Sequence, residues 1–287
     1  MDNQTILPFG SRTFIMGIIN LTPDSFSGDG LIGEEKYIET AARQAQCFVD
    51  EGADILDLGA ESTRPGAEMV DAESELDRLL PALQGILELK LDALISIDTY
   101  KAAVAERCLT LGANIINDVW GLKRDPELAS VVAQFSAQVV LMHNRSLKEA
   151  VQKTKTLGGR YVDMNYQDLI SEICNDLQGS IDIAKQAGIP DQHIIIDPGI
   201  GFGKTSEQNL HIIKNLMEFR KLGYPILLGP SRKSFIGYTL DLPPEERTEG
   251  TAAAVAIGIN NGADIIRVHD VKEMCRVARM CDAILRS

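Results

Sequence analysis

The chain has 287 residues, of which 45% are hydrophobic and 24% are charged, the ordinary composition of a folded globular protein. Its 28 basic and 41 acidic side chains give a formal net charge of −13. Nucleic acids and anionic membranes both require a basic binding surface, so this balance argues against either as a main partner. The longest apolar run, residues 252–259, is far shorter than the roughly 20 residues that span a bilayer.

The cysteines predict a reducing compartment. They are five in number and scattered, and none belongs to a Cys-x-x-Cys pair, which disfavours both a disulfide framework and a zinc site. The first thirty residues contain no basic segment followed by an apolar one, the pattern of an export signal. We therefore expect a cytoplasmic protein whose reduced thiols are Cys47, Cys108, Cys174, Cys275 and Cys281.

Short β-branched apolar runs alternate along the chain with longer segments of helical periodicity. Eight runs predict strands, at residues 14–19, 55–58, 94–97, 115–116, 139–142, 194–196, 225–228 and 265–268. Because the runs are continuously apolar, they are typical of strands buried on both faces, as in a parallel sheet covered by helices. The last helix is predicted over residues 271–285, where apolar residues recur at a spacing of three and four.

A weak internal repeat supports this alternation of helix and strand. Gly-Ala followed by Asp or Asn and then Ile occurs at residues 52–55, 112–115 and 262–265. Glycine is favoured just past the end of a helix, where the backbone turns left-handed. Each copy therefore predicts a helix that ends directly before a strand.

Eight such units in about 250 residues are the count and size of a (β/α)8, or TIM, barrel. We therefore predict an α/β protein in which residues 1–287 form a single TIM-barrel domain. The competing fold, an open doubly wound sheet, usually has fewer strands and a glycine-rich first turn, which the segment at residues 20–26 lacks. Residues 144–161, after the fifth strand, are predicted to form an extended loop.

Polar side chains follow almost every predicted strand. In a TIM barrel the carboxyl ends of the strands line one mouth, where active sites form. The positions are Asn20, Asp57 with residues 61–64, Asp98, Asn117 with Asp118, His143, Asp197, residues 231–233, and Arg267 with His269. Isolated cases are ordinary solvated strand ends, but so many together indicate a functional mouth.

The charges at this mouth suggest a ligand. Cations follow the last two strands and the second, at Arg64, Arg232, Lys233, Arg267 and His269. In an acidic chain such a group indicates a small polyanion, because guanidinium matches phosphate oxygens two at a time. Asp98, Asn117 and Asp197 lie opposite, and carboxylates with an amide suit a flat heterocycle that presents adjacent N–H donors. The residues alone therefore predict an enzyme that binds a polar heterocycle and a phosphate or diphosphate.

Several familiar motifs are absent or incomplete. Residues 203–205 look like the end of a phosphate-binding P-loop, but Pro198 stands where its first glycine belongs. Ser231 lacks the Gly-x-Ser-x-Gly setting of a hydrolase nucleophile. Four widely spaced histidines disfavour a transition-metal cage, which leaves open a Mg²⁺ ion held mainly by ligand phosphates.

The same segments resemble the dihydropteroate synthases, the sulfonamide-inhibited enzymes of folate synthesis. In chain order they are MGIINLTPDSFSGDG (16–30), GAESTRPGA (59–67), SIDTYKA (96–102), NDVWG (117–121), LMH (141–143), DPGIGFGK (197–204), GPSRKSFIG (229–237) and RVHDV (267–271). The resemblance covers essentially the whole chain. It departs at Asn144, where the family commonly has methionine.

The resemblance implies a reaction and a set of site residues. The substrates would be 6-hydroxymethyl-7,8-dihydropterin diphosphate and 4-aminobenzoate, and the products 7,8-dihydropteroate and diphosphate. It implies a pterin site at Asp98, Asn117, Asp197 and Lys233, and a diphosphate site at Asn20, Arg267 and His269, with Asn20 also a ligand of Mg²⁺. The loops at 20–30 and 62–69 would be mobile lids, and the aminobenzoate site would comprise Thr63, Arg64, Pro65, Phe202 and Ser234.

Other functions remain as alternatives. A pterin-binding methyltransferase domain would use similar ring recognition but needs no diphosphate clamp. A Schiff-base aldolase would use Lys233, and a non-catalytic binding module would not need so many polar strand ends. The family suggests a homodimer, and the apolar segment at residues 251–259 fits either deep burial or a partner surface.

Overall fold

The structure, a computed structural model, describes residues 7–21, 34–62, 69–154 and 156–286, with only the backbone at residues 34–36 and 148. Eight strands match the eight predicted ones, and two more form a hairpin. In chain order they are β1 (Phe14–Asn20), β2 (Ile55–Gly59), β3 (Leu94–Asp98), β4 (Ile115–Asp118), β5 (Gln138–Met142), β6 (Val151–Thr154), β7 (Gly158–Tyr161), β8 (Ile194–Asp197), β9 (Leu227–Leu228) and β10 (Ile265–Val268).

Helices follow the strands and cover the outside of the sheet. Within the described residues they are α1 (Glu34–Asp50), α2 (Ala72–Glu88), α3 (Ala102–Leu111), α4 (Leu128–Gln134), α5 (Leu169–Gln186), α6 (Ser206–Lys214), α7 (Ser234–Leu240), α8 (Thr248–Asn260) and α9 (Val271–Leu285). Short 3-10 turns occur at Lys148–Ala150, Asp191–His193, Leu216–Leu222 and Pro244–Glu246. The repeated glycines behave as predicted, since Gly52, Gly112 and Gly262 all have positive φ before a strand.

The eight parallel strands form a nearly closed barrel. Their order is β8-β5-β4-β3-β2-β1-β10-β9, and a parallel bridge between Ile196 and Ile226 joins the two ends. With the hairpin left aside, neighbours in the barrel are therefore neighbours in the chain. The predicted TIM barrel is confirmed.

The barrel interior changes from apolar to polar along several of the strands. Its amino-terminal half is filled by Leu7, Phe14, Met16, Ile55, Ile115, Val140, Ile195, Leu227 and Ile265. Because side chains alternate along a strand, the residue two positions later faces the same interior. Those later residues include Asp57, Asn117, Asp197 and Arg267, so a polar floor lies directly above an apolar plug.

Two segments differ from the prediction. Residues 144–161 contain an antiparallel hairpin, in which Val151 pairs with Tyr161 and Thr154 with Gly158, rather than an extended loop. In α9 the predicted buried face ends early, since Met274 and Ala278 are buried whereas Ile284 is 62% exposed. Among the described helices, none has both the length and the apolarity of a membrane span.

Candidate active site

Asp57 is the centre of the polar floor. Its fully buried carboxylate accepts hydrogen bonds from Ser96 Oγ at 2.6 Å, Asn117 Nδ2 at 3.1 Å and Arg267 Nε at 2.6 Å. The guanidinium of Arg267 also donates to Asp98 Oδ2 at 2.8 Å. Four strands thus contribute to one connected network at the bottom of the mouth.

The network sets the charge of Asp98. Burial raises the pKa of Asp98 to about 7, although Arg267 opposes the rise and Asp57 adds to it. Gly59, at the end of β2, leaves room for this carboxylate, since a Cβ there would lie 3.3 Å from Asp98 Cβ. An acid with this pKa changes between acceptor and donor near neutral pH.

A second group gathers around the turn after β8. The Asp197 carboxylate accepts a hydrogen bond from Gly199 N at 2.7 Å, and burial raises its pKa although Lys233 opposes the rise. The Lys233 ammonium donates to the Ile200 carbonyl and lies 4.6 Å from the centre of the Phe202 ring. Burial lowers the pKa of Lys233 to about 8, although Asp197 opposes the fall. This turn therefore presents a carboxylate, an ammonium and an aromatic face together.

The two groups meet beside Gly229. A Cβ at that glycine would lie 3.7 Å from Arg267 Cβ and 4.0 Å from Lys233 Nζ. Because both Arg267 and Asp98 act on the charge of Lys233, the two groups form one electrostatic unit. The structure thus brings together five of the residues predicted to form the site: Asp98, Asn117, Asp197, Lys233 and Arg267.

Three further predicted residues, Asn20, Ser234 and His269, lie at the rim. Asn20 ends β1 beside Gly59 and is half-buried. The Ser231 hydroxyl accepts a hydrogen bond from His269 N at 3.1 Å and lies 3.0 Å from its Nδ1, which orients the His269 ring. Ser234 begins α7, directly after Lys233. Thr63, Arg64 and Pro65, and the loop at 22–30, lie outside the described residues.

Some polar strand ends have other partners. Arg232 donates to Asp270 from both Nε and Nη2, so it does not join the predicted cation group. Asp118 accepts from Trp120 N and Leu122 N and shapes the turn after β4. Glu61 forms an ion pair with Lys101. These residues build the loops around the mouth.

The turn that carries Ser231 and Lys233 is itself held from outside. Arg247, which is 2% exposed, donates to the carbonyls of Arg232 at 2.9 Å, Leu157 at 3.1 Å and Leu242 at 3.0 Å. Leu157 lies in the turn of the β6–β7 hairpin. The hairpin and the mouth are therefore joined through one buried guanidinium.

Asp57 and Ser96 are the residues that sequence reasoning left without a role. Asp57 was a strand-end candidate but received no function, and Ser96 was not singled out. The signal was available, because both follow an inward-facing apolar residue by two positions in the same strand.

A metal would find few protein ligands here. In the described part of the chain, no three His, Cys, Asp or Glu side chains are grouped closely enough to hold one. Asn20 offers a single half-buried amide oxygen at the rim. This donor set fits Mg²⁺, which commonly takes one or two protein oxygens and completes its coordination with water and ligand phosphates.

Comparisons with known proteins identify the family. Residues 16–269 match the family described as "Pterin binding enzyme". The dihydropteroate synthase of Clostridium beijerinckii is 50% identical over 278 residues, 96% of each chain. The Clostridium difficile dihydropteroate synthase, crystallised in the presence of pteroic acid, has a TM-score of 0.88 and 47% identity, covering 98% of this chain and 100% of that one.

A more distant structure gives the same result. The Xanthomonas albilineans dihydropteroate synthase with 4-aminobenzoic acid has a TM-score of 0.86 and 35% identity, covering 96% of this chain and 94% of that one. The chain therefore belongs to the pterin-binding enzymes and, among these, to the dihydropteroate synthases, which are transferases of folate biosynthesis.

Proposed function

We propose that the polar floor and rim described above carry out the condensation of 6-hydroxymethyl-7,8-dihydropterin diphosphate with 4-aminobenzoate. The observation that carries the proposal is the buried Asp57–Arg267–Asp98 network, which places a fixed cation between two carboxylates at the carboxyl ends of the strands. Such a floor offers alternating acceptors and donors to a flat ring, with a cation available for an anionic group.

The pterin ring is assigned to Asp98, Asn117, Asp197 and Lys233. Asp98 and Asn117 are paired in register on neighbouring strands β3 and β4, so their side chains reach the same depth. Carboxylates accept from ring N–H groups, while the Asn117 amide and the Lys233 ammonium donate to ring acceptors. The apolar plug beneath them limits how deep the ring can go.

The diphosphate is assigned to Asn20, Arg267 and His269 at the rim. Arg267 has five N–H donors, and its bonds to Asp57 and Asp98 leave others for phosphate oxygens. The Ser231 hydroxyl, 3.0 Å from His269 Nδ1, holds the His269 ring in place. We also propose that Asn20 supplies one ligand to Mg²⁺, an ion that neutralises diphosphate charge when bound.

The aminobenzoate is assigned to Phe202 and Ser234, with Thr63, Arg64 and Pro65 completing the site. The Phe202 ring lies against Lys233, which is followed directly by Ser234, so the second substrate would bind next to the pterin. This adjacency suits a direct transfer between the two substrates.

The chemistry then depends mainly on charge placement. The bond between the pterin methylene carbon and the diphosphate oxygen breaks, and its electron pair leaves with the diphosphate, which Arg267 and His269 stabilise. The methylene carries positive charge, which the pterin delocalises and the nearby Asp98 carboxylate favours. The aminobenzoate nitrogen forms the new bond and then loses a proton. Neither a protein nucleophile nor a strong base is needed.

The direct test is to incubate the purified protein with Mg²⁺, the pterin diphosphate and 4-aminobenzoate. We expect equal amounts of dihydropteroate and diphosphate, measured by chromatography. No product from fresh substrate would refute the proposed function.

Asp197→Asn tests the pterin site separately. Asp197 is a buried carboxylate, so loss of its charge should weaken binding of the free pterin by about tenfold to 100-fold. Titration calorimetry with a pterin lacking diphosphate measures this directly. Asp264→Asn is the matched control, since Asp264 is also buried and accepts a backbone N–H, from Ile226, at the opposite end of the barrel. Equal affinities in both variants would remove Asp197 from the site.

The pKa values of Asp98 and Lys233 predict a narrow pH optimum. The pH dependence of kcat/KM reports groups of the free enzyme. Activity should fall below about pH 7 as Asp98 takes up a proton, and above about pH 8 as Lys233 loses one. Asp98→Asn should abolish the acid limb and keep the alkaline one. If the acid limb persists near pH 7 in this variant, the limb reports a group other than Asp98, such as one of the substrate.

We further propose that the enzyme is a homodimer and works in the cytoplasm as one domain. All five cysteines are free, which suits a reducing compartment. Exposed apolar side chains lie on the adjacent helices α8 and α9, where Ile257 is 52%, Met280 61% and Ile284 62% exposed. Such a surface is typical of a protein interface.

Ile284→Glu tests the dimer. The charge should separate the subunits, so analytical ultracentrifugation should find a dimeric wild type and a monomeric variant. Leu89→Glu, at the end of α2 and 42% exposed, is the control that should remain dimeric. A monomeric wild type would refute the proposed dimer, whereas a dimeric variant would place the interface elsewhere.

A further inference from the structure

Lys204 is a buried lysine whose partners are neutral. It is 2% exposed, and its Nζ lies 2.8 Å from the Gly199 carbonyl, 2.9 Å from the Phe202 carbonyl and 2.9 Å from His143 Nδ1. An ammonium has three N–H donors, and each of these acceptors can take one. Burial lowers the pKa of Lys204, and the nearby Asp197 carboxylate opposes the fall.

His143 is held in the state that this contact requires. Burial lowers the pKa of His143 to about 2, and Lys204 lowers it further, so the ring is neutral. Its Nε2 lies 3.1 Å from Asp176 Oδ2, which indicates that Nε2 carries the proton. Nδ1 is then free of hydrogen and accepts from Lys204. The contact is thus anchored to β5 through His143 and to α5 through Asp176.

The turn after β8 is held on two sides. Gly199 and Gly201 have φ of 73° and 83°, a left-handed backbone that glycine adopts readily. The carbonyls of Gly199 and Phe202 accept from Lys204, whereas that of Ile200, between them, accepts from Lys233. The position of Lys233 therefore depends on how Lys204 holds this turn.

We infer that Lys204 is a positioning residue that fixes the Gly199–Phe202 turn and thereby places Lys233 and the Phe202 ring for substrate binding. This inference rests on the proposed function. Lys204 is enclosed by protein, so it acts through the turn and not on the substrates. Without it, the Phe202 carbonyl loses the Lys204 donor and the Gly199 carbonyl keeps only the Phe202 N–H at 3.1 Å. The Ile200 peptide can then rotate, and Lys233 loses the acceptor that stabilises its charged form.

The test compares Lys204→Met with Lys185→Met. Methionine is nearly as long as lysine but has no donor, and Lys185 is a control that pairs with Asp191 at 3.1 Å, before β8 and away from the turn. We expect Lys204→Met to raise the KM for 4-aminobenzoate several-fold, because Phe202 shifts. The alkaline limb of kcat/KM should move to lower pH, because loss of the Ile200 acceptor of Lys233 outweighs loss of the repulsion between the two ammonium groups. Lys185→Met should change neither.

Two results would overturn the inference. One is a folded Lys204→Met enzyme with a lower kcat but unchanged KM and alkaline limb, which would indicate a merely structural role. The other result concerns Gly201→Ala, which replaces Lys204→Met if that variant does not fold, because the added Cβ would lie 2.9 Å from Lys233 Cδ. If the KM and the alkaline limb of Gly201→Ala equal those of the wild type, the position of Lys233 does not depend on the turn. A wild type that makes no dihydropteroate would refute the proposed function, a separate outcome from either result.

Discussion

Arg267→Ala is expected to lower kcat/KM about 100- to 1,000-fold, the range seen when one fixed electrostatic contact is removed from an active site. Arg267 joins Asp57 and Asp98 at the floor and is the principal cation assigned to the departing diphosphate. The pKa of Asp98 should rise further, because the arginine opposes the effect of burial. The acid limb of the pH profile should therefore move to higher pH in the same variant.

Asp57→Asn tests how far Arg267 depends on Asp57 for its orientation, because the variant leaves the charge of the arginine in place. Asparagine is nearly the same shape but uncharged, so Arg267 would keep only Asp98 as a charged partner, and we expect a loss of about tenfold to 100-fold in kcat/KM. Because Asp57 acts largely through Arg267, the double variant should be little worse than Arg267→Ala alone. Steady-state kinetics of the two single variants and the double variant give the coupling energy between Asp57 and Arg267.

Arg220→Ala is the matched control for these variants. Arg220 also pairs with a buried aspartate, Asp264, at 2.8 Å, but at the amino-terminal end of the barrel. Its kcat/KM should equal that of the wild type. Additive losses in the Asp57 and Arg267 variants would contradict the network described above.

Gly199→Ala should cause the largest loss of stability, at least about 3 kcal/mol in the free energy of unfolding. A Cβ at this position would lie 1.9 Å from the His143 carbonyl oxygen, which is backbone and cannot move aside easily. The φ of 73° adds strain for any side chain. The same change would push Gly199 N from Asp197, so pterin binding should weaken as well.

Gly188→Ala measures the cost of a left-handed backbone without a steric clash. Gly188 also has a positive φ, of 88°, but nothing lies within 4 Å of its Cβ position. Its cost should be about 1 kcal/mol, the penalty of the left-handed backbone alone. Urea unfolding of both variants measures the difference. Equal midpoints would mean that the β8 turn can relax around the added methyl group.

The sequence was sufficient for the strands, because each contained a short apolar run, and the repeated glycine marked the start of β2, β4 and β10. It was also sufficient to place Asp98, Asn117 and Asp197 at the mouth of the barrel, because each lies at or next to the carboxyl end of its strand. Asp57 obeys the same rule of alternation from Ile55, but its three partners come from β3, β4 and β10. Only the closed barrel shows that these strands converge on it.

Contacts between distant loops were beyond prediction. Lys204 appeared as a failed P-loop lysine, and its link to His143 spans 61 residues. The hairpin at residues 151–161 has two short strands, β6 largely exposed and β7 mostly half-buried, and their sequence lacks the apolar alternation that would have marked them. Arg247 joins this hairpin to the mouth across 90 residues, and a local pattern does not report such a distance.

Lys204 and Arg247, the buried cations that hold the loops, have different kinds of partner from Arg267, the cation of the polar floor. Lys204 and Arg247 donate to carbonyls and a neutral ring nitrogen, none of which changes charge in moderate acid. Arg267 instead depends on carboxylates, one of which has a pKa of about 7. As the medium becomes acidic, the enzyme should therefore lose function well before the Lys204 and Arg247 contacts are lost, and a return to neutral pH should restore activity without rebuilding these contacts.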